Sequence, residues 1–453
     1  MAGLLEPAAA EIPRPVVDAG AMTLSIGERL RRQLSYLADR SSLYRRKLGG
    51  LAERLRRLED LGAVEYTTKD ELRAGQERDP PFGEHLCAPR DALVRIHVTS
   101  GTTGRPVAIG FTRADHDRNS VIGGAAFRIA GVRPDDVVAH CLNYALYAGG
   151  IADHMALEAS GATVVPVGVG QSRRLLELIP RLGITAVFGT LSYPSHLART
   201  VRELHLEPRG LGLRRLITAG EPGAGLAAVR REIEQAWGTA VADTFGMSDV
   251  WSTMAGECGQ GEGLHVTAGE AAVVELCDPH TAEPVEIEDG ATGELVWTHV
   301  GREASPLLRY RSADLARVWT RPCACGRAGV RIRIEGRRDD MIRVRGANVH
   351  PQAVGAVLAT RPAFGRYAIV AAGDPVQPPL RVLVEAPDAG RAELSAAEDE
   401  LRRTLGAAVE LTALAAGELP VAEHKTRLVY RLTGGADLPA ALAAALDRKD
   451  RAQ

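Results

Sequence analysis

Ser100-Gly101-Thr102-Thr103-Gly104 puts three hydroxyls and two glycines into five residues, ahead of Arg105-Pro106. Glycines let backbone N–H groups turn toward a ligand with no Cβ in the way. Such N–H groups, with Ser and Thr hydroxyls, are donors suited to phosphate oxygens. A polar hairpin turn has the same composition, so these residues alone leave both readings open. A Walker loop is excluded: it needs Gly-Lys-Ser/Thr opening a helix, and here a strand pattern resumes after Pro106. A second chemical group is Cys258, His265, Cys323 and Cys325. Three thiolates and an imidazole are the donor set of a structural zinc, although the spacing is not that of a standard finger. Ordinary buried thiols in a turn at Cys323-Ala324-Cys325 are the plainer alternative.

The hydroxyl-rich loop must be held by its neighbours. Residues 93–98 alternate with β-branched side chains and residues 107–112 are extended in pattern, so the loop joins two strands. Downstream, strand patterns at 137–141, 161–167, 184–190, 213–218 and 240–245 alternate with helical patterns at 113–130, 151–160, 172–182 and 226–237. Near-continuous apolar strands between helices predict an α/β fold, with mostly parallel sheets covered by helices. Ligands of such sheets sit outside the carboxyl ends of the strands. Those ends read Gly189-Thr190, Ala219-Gly220-Glu221-Pro222-Gly223 and Phe245-Gly246-Met247-Ser248-Asp249.

Nearer the N-terminus, Leu30, Leu34 and Leu37 predict a helix, Ser41-Ser42 can cap another, and Thr67-Thr68-Lys69-Asp70-Glu71 reads as an N-cap followed by acids. Residues 271–276 and 293–298 predict antiparallel strands of a small barrel-like part. Beyond a boundary near Asp339, strands at 367–372 and 380–385 and a helix at 395–406 predict a small α+β domain, followed by an Ala/Leu helix at 437–447. The expected organisation is a leader at 1–22, a large N-terminal domain at 23–338 and a small, mobile C-terminal domain at 339–453.

With 453 residues, 45% of them apolar, the chain can bury the cores of two or more domains. Fifty-five basic residues against 57 acidic ones give no field that would gather nucleic acid or a membrane surface. No apolar run approaches a membrane span, and the first residues lack the basic-then-apolar pattern of a signal peptide. Six cysteines in a chain of this length predict reduced thiols and a cytoplasmic protein. Cys87, Cys141 and Cys277 read as ordinary core or surface residues.

The order of the blocks carries more than any one of them. Ser100 to Pro106, Glu221-Pro222-Gly223, Phe245 to Asp249, Arg309-Tyr310-Arg311-Ser312-Ala313-Asp314, Gly336 to Ile342 with Arg345-Gly346, and His424-Lys425-Thr426 follow in succession. Over roughly residues 25–432 the chain resembles the adenylate-forming (acyl-CoA synthetase) superfamily, and within it the phenylacetate–CoA ligases. Local runs carry the closer match: Ser42 to Leu48, Tyr66 to Lys69, Arg95-Ile96-His97, and Arg338 to Ile342 with Arg345 to Val349.

The resemblance implies joining of a carboxylate to ATP, release of pyrophosphate, and attack on the acyl-adenylate by coenzyme A. Ser100, Gly101, Thr102, Thr103 and Gly104 would hold the β- and γ-phosphates. Glu221, Pro222, Asp243, Thr244, Phe245, Gly246 and Ser248 would wall the adenine, with Phe245 stacking where tyrosine is commoner. Asp314 would accept from the ribose hydroxyls and Arg337 would reach the nucleotide. The plainer role for Asp314 is an ion pair with Arg309 or Arg311. Asp249 would hold Mg²⁺ where glutamate is common. Lys425 would be the catalytic cation between acyl carboxylate and α-phosphate, with His424 where the family usually has glycine. Asp339 would be the hinge, and Arg345 and Gly346 would approach the pantetheine tunnel. Relatives with a metal cluster match the segments around His265 and Cys323, which favours zinc.

In the matching families, the segment after the strand at 137–141 walls the acyl pocket. Tyr144, Tyr147, Gly149, Gly150 and Ala219 are the candidate lining residues, and His154 reads as structural. Two tyrosines with glycines suit a flat ring with a polar substituent, so the expected substrate is an aromatic acid, hydroxy- or amino-substituted among the options. The acceptor is coenzyme A, with a carrier-protein thiol or an amine as alternatives. A nucleotidyl transferase that adenylylates a cofactor hydroxyl, or a non-catalytic nucleotide binder, are readings of other classes. Self-association into a homodimer is left open.

Overall fold

The computed structural model describes residues 26–453 except 52–53, 56–58, 100–105, 222–226, 261, 346, 362, 421–427, 433–437, 440–441, 445 and 447–453. The phosphate-loop candidates Ser100 to Gly104, together with Pro222, Gly346, Lys425, the leader and parts of the expected 437–447 helix, therefore lie outside the described residues.

The chain enters through α1 (Ile26–Arg40), α2 (Ser42–Leu48) and α3 (Lys69–Arg78). The N-cap at Thr68 is a full capping box: its hydroxyl accepts from Glu71 N, and the Glu71 carboxylate accepts from Thr68 N. Strands β1 (Arg95–Val98) and β2 (Ala108–Phe111) pair antiparallel, with Val98 opposite Ala108. The neck between them is closed by Thr99 N to Val107 O at 3.0 Å and by Val107 N to Thr99 Oγ1 at 3.1 Å. The loop between the strands thus leaves a hairpin rather than opening a helix.

After α4 (Arg113–Ile129) come β3 (Val137–His140), α5 (Ile151–Ala159), β4 (Thr163–Pro166), α6 (Ser172–Leu182), β5 (Ala186–Thr190), α7 (Ser192–Glu203), β6 (Arg215–Ala219), α8 (Ala227–Trp237) and β7 (Ala240–Phe245). Strands β4, β3, β5, β6 and β7 are neighbours in that order and parallel, as near-continuous apolar runs between helices require. Their core includes Phe127, Val138, Phe188 and Ile217 on one face and Leu176, Val187, Leu197 and Trp237 on the other.

The antiparallel strands are β8 (Ala255–Glu257), β9 (Leu264–Val266), β10 (Ala272–Cys277), β11 (Pro284–Val285), β12 (Thr292–His299), β13 (Tyr310–Trp319) and β14 (Arg331–Arg337). They continue from β7 in the order β8, β9, β14, β13, β12, β10, β11. Among the described residues they extend one twelve-stranded sheet, and β11 and β4 form its edges. Their inner face buries Trp251, Trp297, Leu295 and Tyr310 against Leu34, Leu37 and Tyr44 of the N-terminal helices.

Past Asp339 the chain forms the hairpin β15 (Ile342–Val344) and β16 (Ala347–Val349), then α9 (Pro351–Leu358), β17 (Tyr367–Ala372), β18 (Leu380–Glu385), α10 (Arg391–Leu405), β19 (Val409–Leu414) and β20 (Val429–Leu432). The last four strands make a separate sheet ordered β19-β18-β17-β20. It has its own cores, one around Ile369, Val382 and Leu401 and another around Leu383, Leu414 and Tyr430. Helix α10 begins four residues before the 395 expected from the sequence, because Gly390 in an extended conformation supplies the N-cap.

Candidate active site

The carboxyl ends of β3, β5, β6 and β7 bring His140, Thr190, Ala219 and Phe245 to one rim of the sheet. Glu221 follows β6, and its carboxylate accepts from Ser192 N at 2.8 Å and Ser192 Oγ at 3.1 Å, over the first turn of α7. Phe245 is half-buried at the end of β7. Gly246 cannot be replaced in this geometry, since a Cβ there would lie 1.9 Å from Ser252 O. That close approach folds Met247 to Trp251 into a tight turn carrying Ser248 and Asp249.

The neighbouring candidates on β7 point elsewhere. The Asp243 carboxylate accepts from Thr218 Oγ1 at 3.1 Å and from Thr244 N at 3.0 Å, and Thr244 Oγ1 donates to Thr218 O at 2.9 Å. Both side chains thus tie β7 to β6. Burial, with Glu257 nearby, pushes the Asp243 carboxyl up to about 7.

Arg309 and Arg311, the arginines nearest Asp314 in the chain, turn to other carboxylates. Arg309 takes the left-handed region at φ 46°, which sends its guanidinium to Glu275 at 3.0 Å and Val64 O at 2.6 Å. Arg311 bonds Glu294. Ala313 is also left-handed, at φ 65°, and the register slips beside Leu315, so β13 kinks where it presents Asp314. Asp314 stands opposite Arg337 of β14, whose Nη1 donates to its Oδ1 at 3.0 Å. The same guanidinium grips Asp339 with two bonds of 2.8 Å. Arg431 of β20 donates to Asp339 O at 3.2 Å and to Met341 O at 2.7 Å. One chain of contacts therefore joins Asp314, Arg337, Asp339 and the last sheet. Arg345 lies exposed in the β15–β16 turn.

Asp249 is buried, and its Oδ2 pairs with Lys69 Nζ at 3.2 Å. Its Oδ1 is buried with no hydrogen bond among the described residues. Lys69 stood out in the sequence only as part of a helix start, and nothing there ties it to a residue 180 positions away.

The turn after β3 gathers four of the five proposed acyl-pocket residues, Tyr144, Tyr147, Gly149 and Gly150, while Ala219 ends β6. Tyr144 lies on His140, with ring centroids 4.8 Å apart, and His140 in turn meets Phe188 of β5 at 5.3 Å. Gly150 must be glycine for the turn to close, since its Cβ would lie 2.5 Å from Asn143 O. At Gly149 a Cβ would meet only ordinary contacts. Tyr147 is half-buried beside Leu146, which is left-handed at φ 60°. Leu146 O accepts from Val98 N at 3.2 Å and faces His97 Nδ1 at 3.3 Å, so the acyl turn is hung on the strand that leads to the phosphate loop. Burial lowers His97 to about 4, so it stays neutral and can donate this bond from Nδ1. The alternation of β1 points His97 inward and Ile96 outward, a signal the sequence carried without saying what His97 would hold. His154 of α5, expected to be structural, shares a 2.8 Å bond from Nδ1 to the Tyr144 hydroxyl.

The four metal-ligand candidates meet. Their donor atoms lie within 4.8 Å of one another. Cys258 Sγ and Cys323 Sγ are 3.7 Å apart, and Cys325 Sγ and His265 Nε2 are 3.3 Å apart. Tetrahedral zinc with bonds of about 2.3 Å to sulfur and about 2.0 Å to nitrogen spaces its donors about 3.5–3.8 Å apart. Burial holds His265 below its ordinary value, in the neutral form a ligand needs.

The AMP-binding enzyme family matches residues 40–301. The phenylacetate-coenzyme A ligase of Thermus thermophilus is 35% identical over 341 residues, 74% of each chain. The chain belongs to the AMP-binding enzyme family. It is a phenylacetate–coenzyme A ligase-like, adenylate-forming member, an AMP-forming acid–coenzyme A ligase. A 2-hydroxyisobutyryl-CoA ligase crystallised in the postadenylation state superposes with a TM-score of 0.84 at 29% identity, covering 94% of this chain and 92% of that one. The same ligase in its thioesterification state gives 0.66 at 29% identity, covering 97% and 94%. The described arrangement is thus nearer the postadenylation one. Among the described residues no helix is long and apolar enough to cross a membrane.

Proposed function

We propose that this enzyme activates an aromatic carboxylic acid with ATP and passes the acyl group to coenzyme A, yielding an aryl-CoA thioester, AMP and pyrophosphate. The observation that carries the proposal is the Asp314–Arg337–Asp339 chain. In it a buried carboxylate, proposed here as the acceptor for the ribose hydroxyls, faces an arginine that also bonds Asp339, the proposed hinge. The carboxylate of the substrate attacks the α-phosphorus, so charge grows on phosphate oxygens and is met by fixed donors. Ser100 to Gly104 grip the β- and γ-phosphates, and Lys425 bridges the acyl carboxylate and the α-phosphate. Phe245, with Glu221 and Gly246 beside it, flanks the adenine.

Asp249 suits Mg²⁺, since its Oδ1 is buried with no donor among the described residues and a carboxylate oxygen is a hard ligand. The cation would draw charge from the phosphate oxygens. Cys258, His265, Cys323 and Cys325 would hold a structural zinc, which would pin the β8–β9 turn to the β13–β14 turn. For the second step, residues 339–453 act as a small domain that swings at Asp339, carrying Lys425 away and the Arg345–Gly346 turn toward the thiol.

A screen of aromatic and short hydroxy acids with ATP tests this, read as pyrophosphate exchange and then as product mass with and without coenzyme A. Exchange with an aromatic acid and a thioester product support the proposal. Exchange with short hydroxy acids alone would move the substrate toward that of the 2-hydroxyisobutyryl-CoA ligase. A stable AMP adduct without thioester would support nucleotidyl transfer instead.

A further inference from the structure

We propose that Tyr144 is a specificity-determining residue whose phenol oxygen is held as a hydrogen-bond acceptor by a relay from Glu158 through His154, so that the preferred acid carries a hydroxyl or amino donor. This rests on the acid-activating reading of the site and names the substrate class more narrowly.

The placement comes first. Tyr144 follows β3 and lies over His140 at that strand's carboxyl end, while His140 also meets Phe188 of β5. The phenol therefore sits above the ends of two adjacent parallel strands, where ligands of such sheets bind. It is half-buried. The turn that carries it is held by Val98 N and His97 at Leu146 O and closed by Gly150, so the ring is presented by a fixed backbone.

The polarity follows from counting protons. Glu158 Oε1 lies 3.2 Å from His154 Nε2, one helical turn away on α5. A carboxylate only accepts, so Nε2 carries the hydrogen. In a neutral imidazole Nδ1 then has the lone pair. Nδ1 is 2.8 Å from the Tyr144 hydroxyl, which donates to it when the imidazole is in that neutral form. The single phenol hydrogen is thereby used inside the protein, and the oxygen turns its lone pairs outward. Burial raises the phenol above its ordinary value, so it keeps that hydrogen. Burial also lowers His140 to about 4, so the ring beneath Tyr144 brings no charge. A substrate substituent that can only accept meets a second acceptor here, whereas an O–H or N–H group completes the chain. Tyr144 is the residue that touches substrate, and His154 and Glu158 are positioning residues acting through it.

The test is a matched panel of phenylacetates and benzoates bearing hydrogen, hydroxyl, amino or methoxy at each ring position, assayed with the full-length enzyme for kcat/KM. At the best ring position the wild type should favour hydroxyl or amino over methoxy by about tenfold or more, as expected when an acceptor is left facing an acceptor. Tyr144→Phe should bring that ratio close to one. His154→Phe frees the phenol hydrogen to point outward, so the methoxy acid should gain relative to the hydroxy acid. Glu158→Leu should blur the ratio and Glu158→Gln, whose amide oxygen still accepts from Nε2, should restore it. A purely structural role for His154 would lower all acids together and leave the ratio in place. Turnover of aromatic acids with no donor preference overturns this inference alone. Turnover of no acid in the panel overturns the aromatic-acid reading and the inference with it.

Discussion

Asp153, in the first turn of α5, is 2% exposed, yet it is a carboxylate. Thr253 Oγ1 donates to its Oδ1 at 2.9 Å. Burial dominates over this bond and pushes the carboxyl from 3.8 up to about 6. The folded state therefore binds the proton more tightly than the unfolded chain. Between those two values the native protein keeps a proton that the unfolded chain releases, so stability falls as pH rises through the window and the loss is complete above pH 6. A shift of about two units corresponds to about 3 kcal/mol at neutral pH. Asp153→Asn removes the titration while its amide oxygen still accepts from Thr253. The variant should exceed the wild type in stability by about 1–3 kcal/mol at pH 7.5, and the advantage should vanish near pH 4. Urea unfolding at both pH values, followed by tryptophan fluorescence, measures it. An Asn variant that is less stable than the wild type at pH 7.5, or whose advantage is the same at both pH values, would refute burial as the cause.

Two further outcomes follow from the site. Lys425→Ala should slow adenylation by roughly a hundred- to a thousandfold, the usual cost of removing a charge that meets the transition state, read as pyrophosphate exchange. Undiminished exchange would remove Lys425 from the mechanism. Cys323→Ser should lower zinc content measured by elemental analysis and lower the thermal midpoint, while a Cys87→Ser control should retain its metal. Equal metal content in the two proteins would dismiss the cluster as a zinc site.

The local elements were legible in the sequence because short-range physics decides them. The strands at 367–372 and 380–385 have the bounds their apolar runs indicated. The acids after Thr68 announced a capped helix, and the structure shows the reciprocal capping box with Glu71. The succession of motifs pointed to the adenylate-forming enzymes, and the strand-to-strand setting of the hydroxyl-rich loop was visible in its flanks. What tertiary structure alone decided is which groups become partners. Both Arg309 and Arg311 stood nearer to Asp314 in the chain than Arg337 did, yet left-handed backbone at Arg309 and Ala313 and the pairing of β13 with β14 assign that carboxylate to Arg337. Lys69 reaches Asp249 across 180 residues. Cys258 comes to Cys323 because β9 pairs with β14, placing His265 opposite Arg331. The direction of the Tyr144 hydrogen depends on which nitrogens of His154 face which oxygens. Residue types set what each group can donate or accept. Strand register and helix packing set the distances, and hydrogen bonds and metal ligation survive only over a few tenths of an ångström.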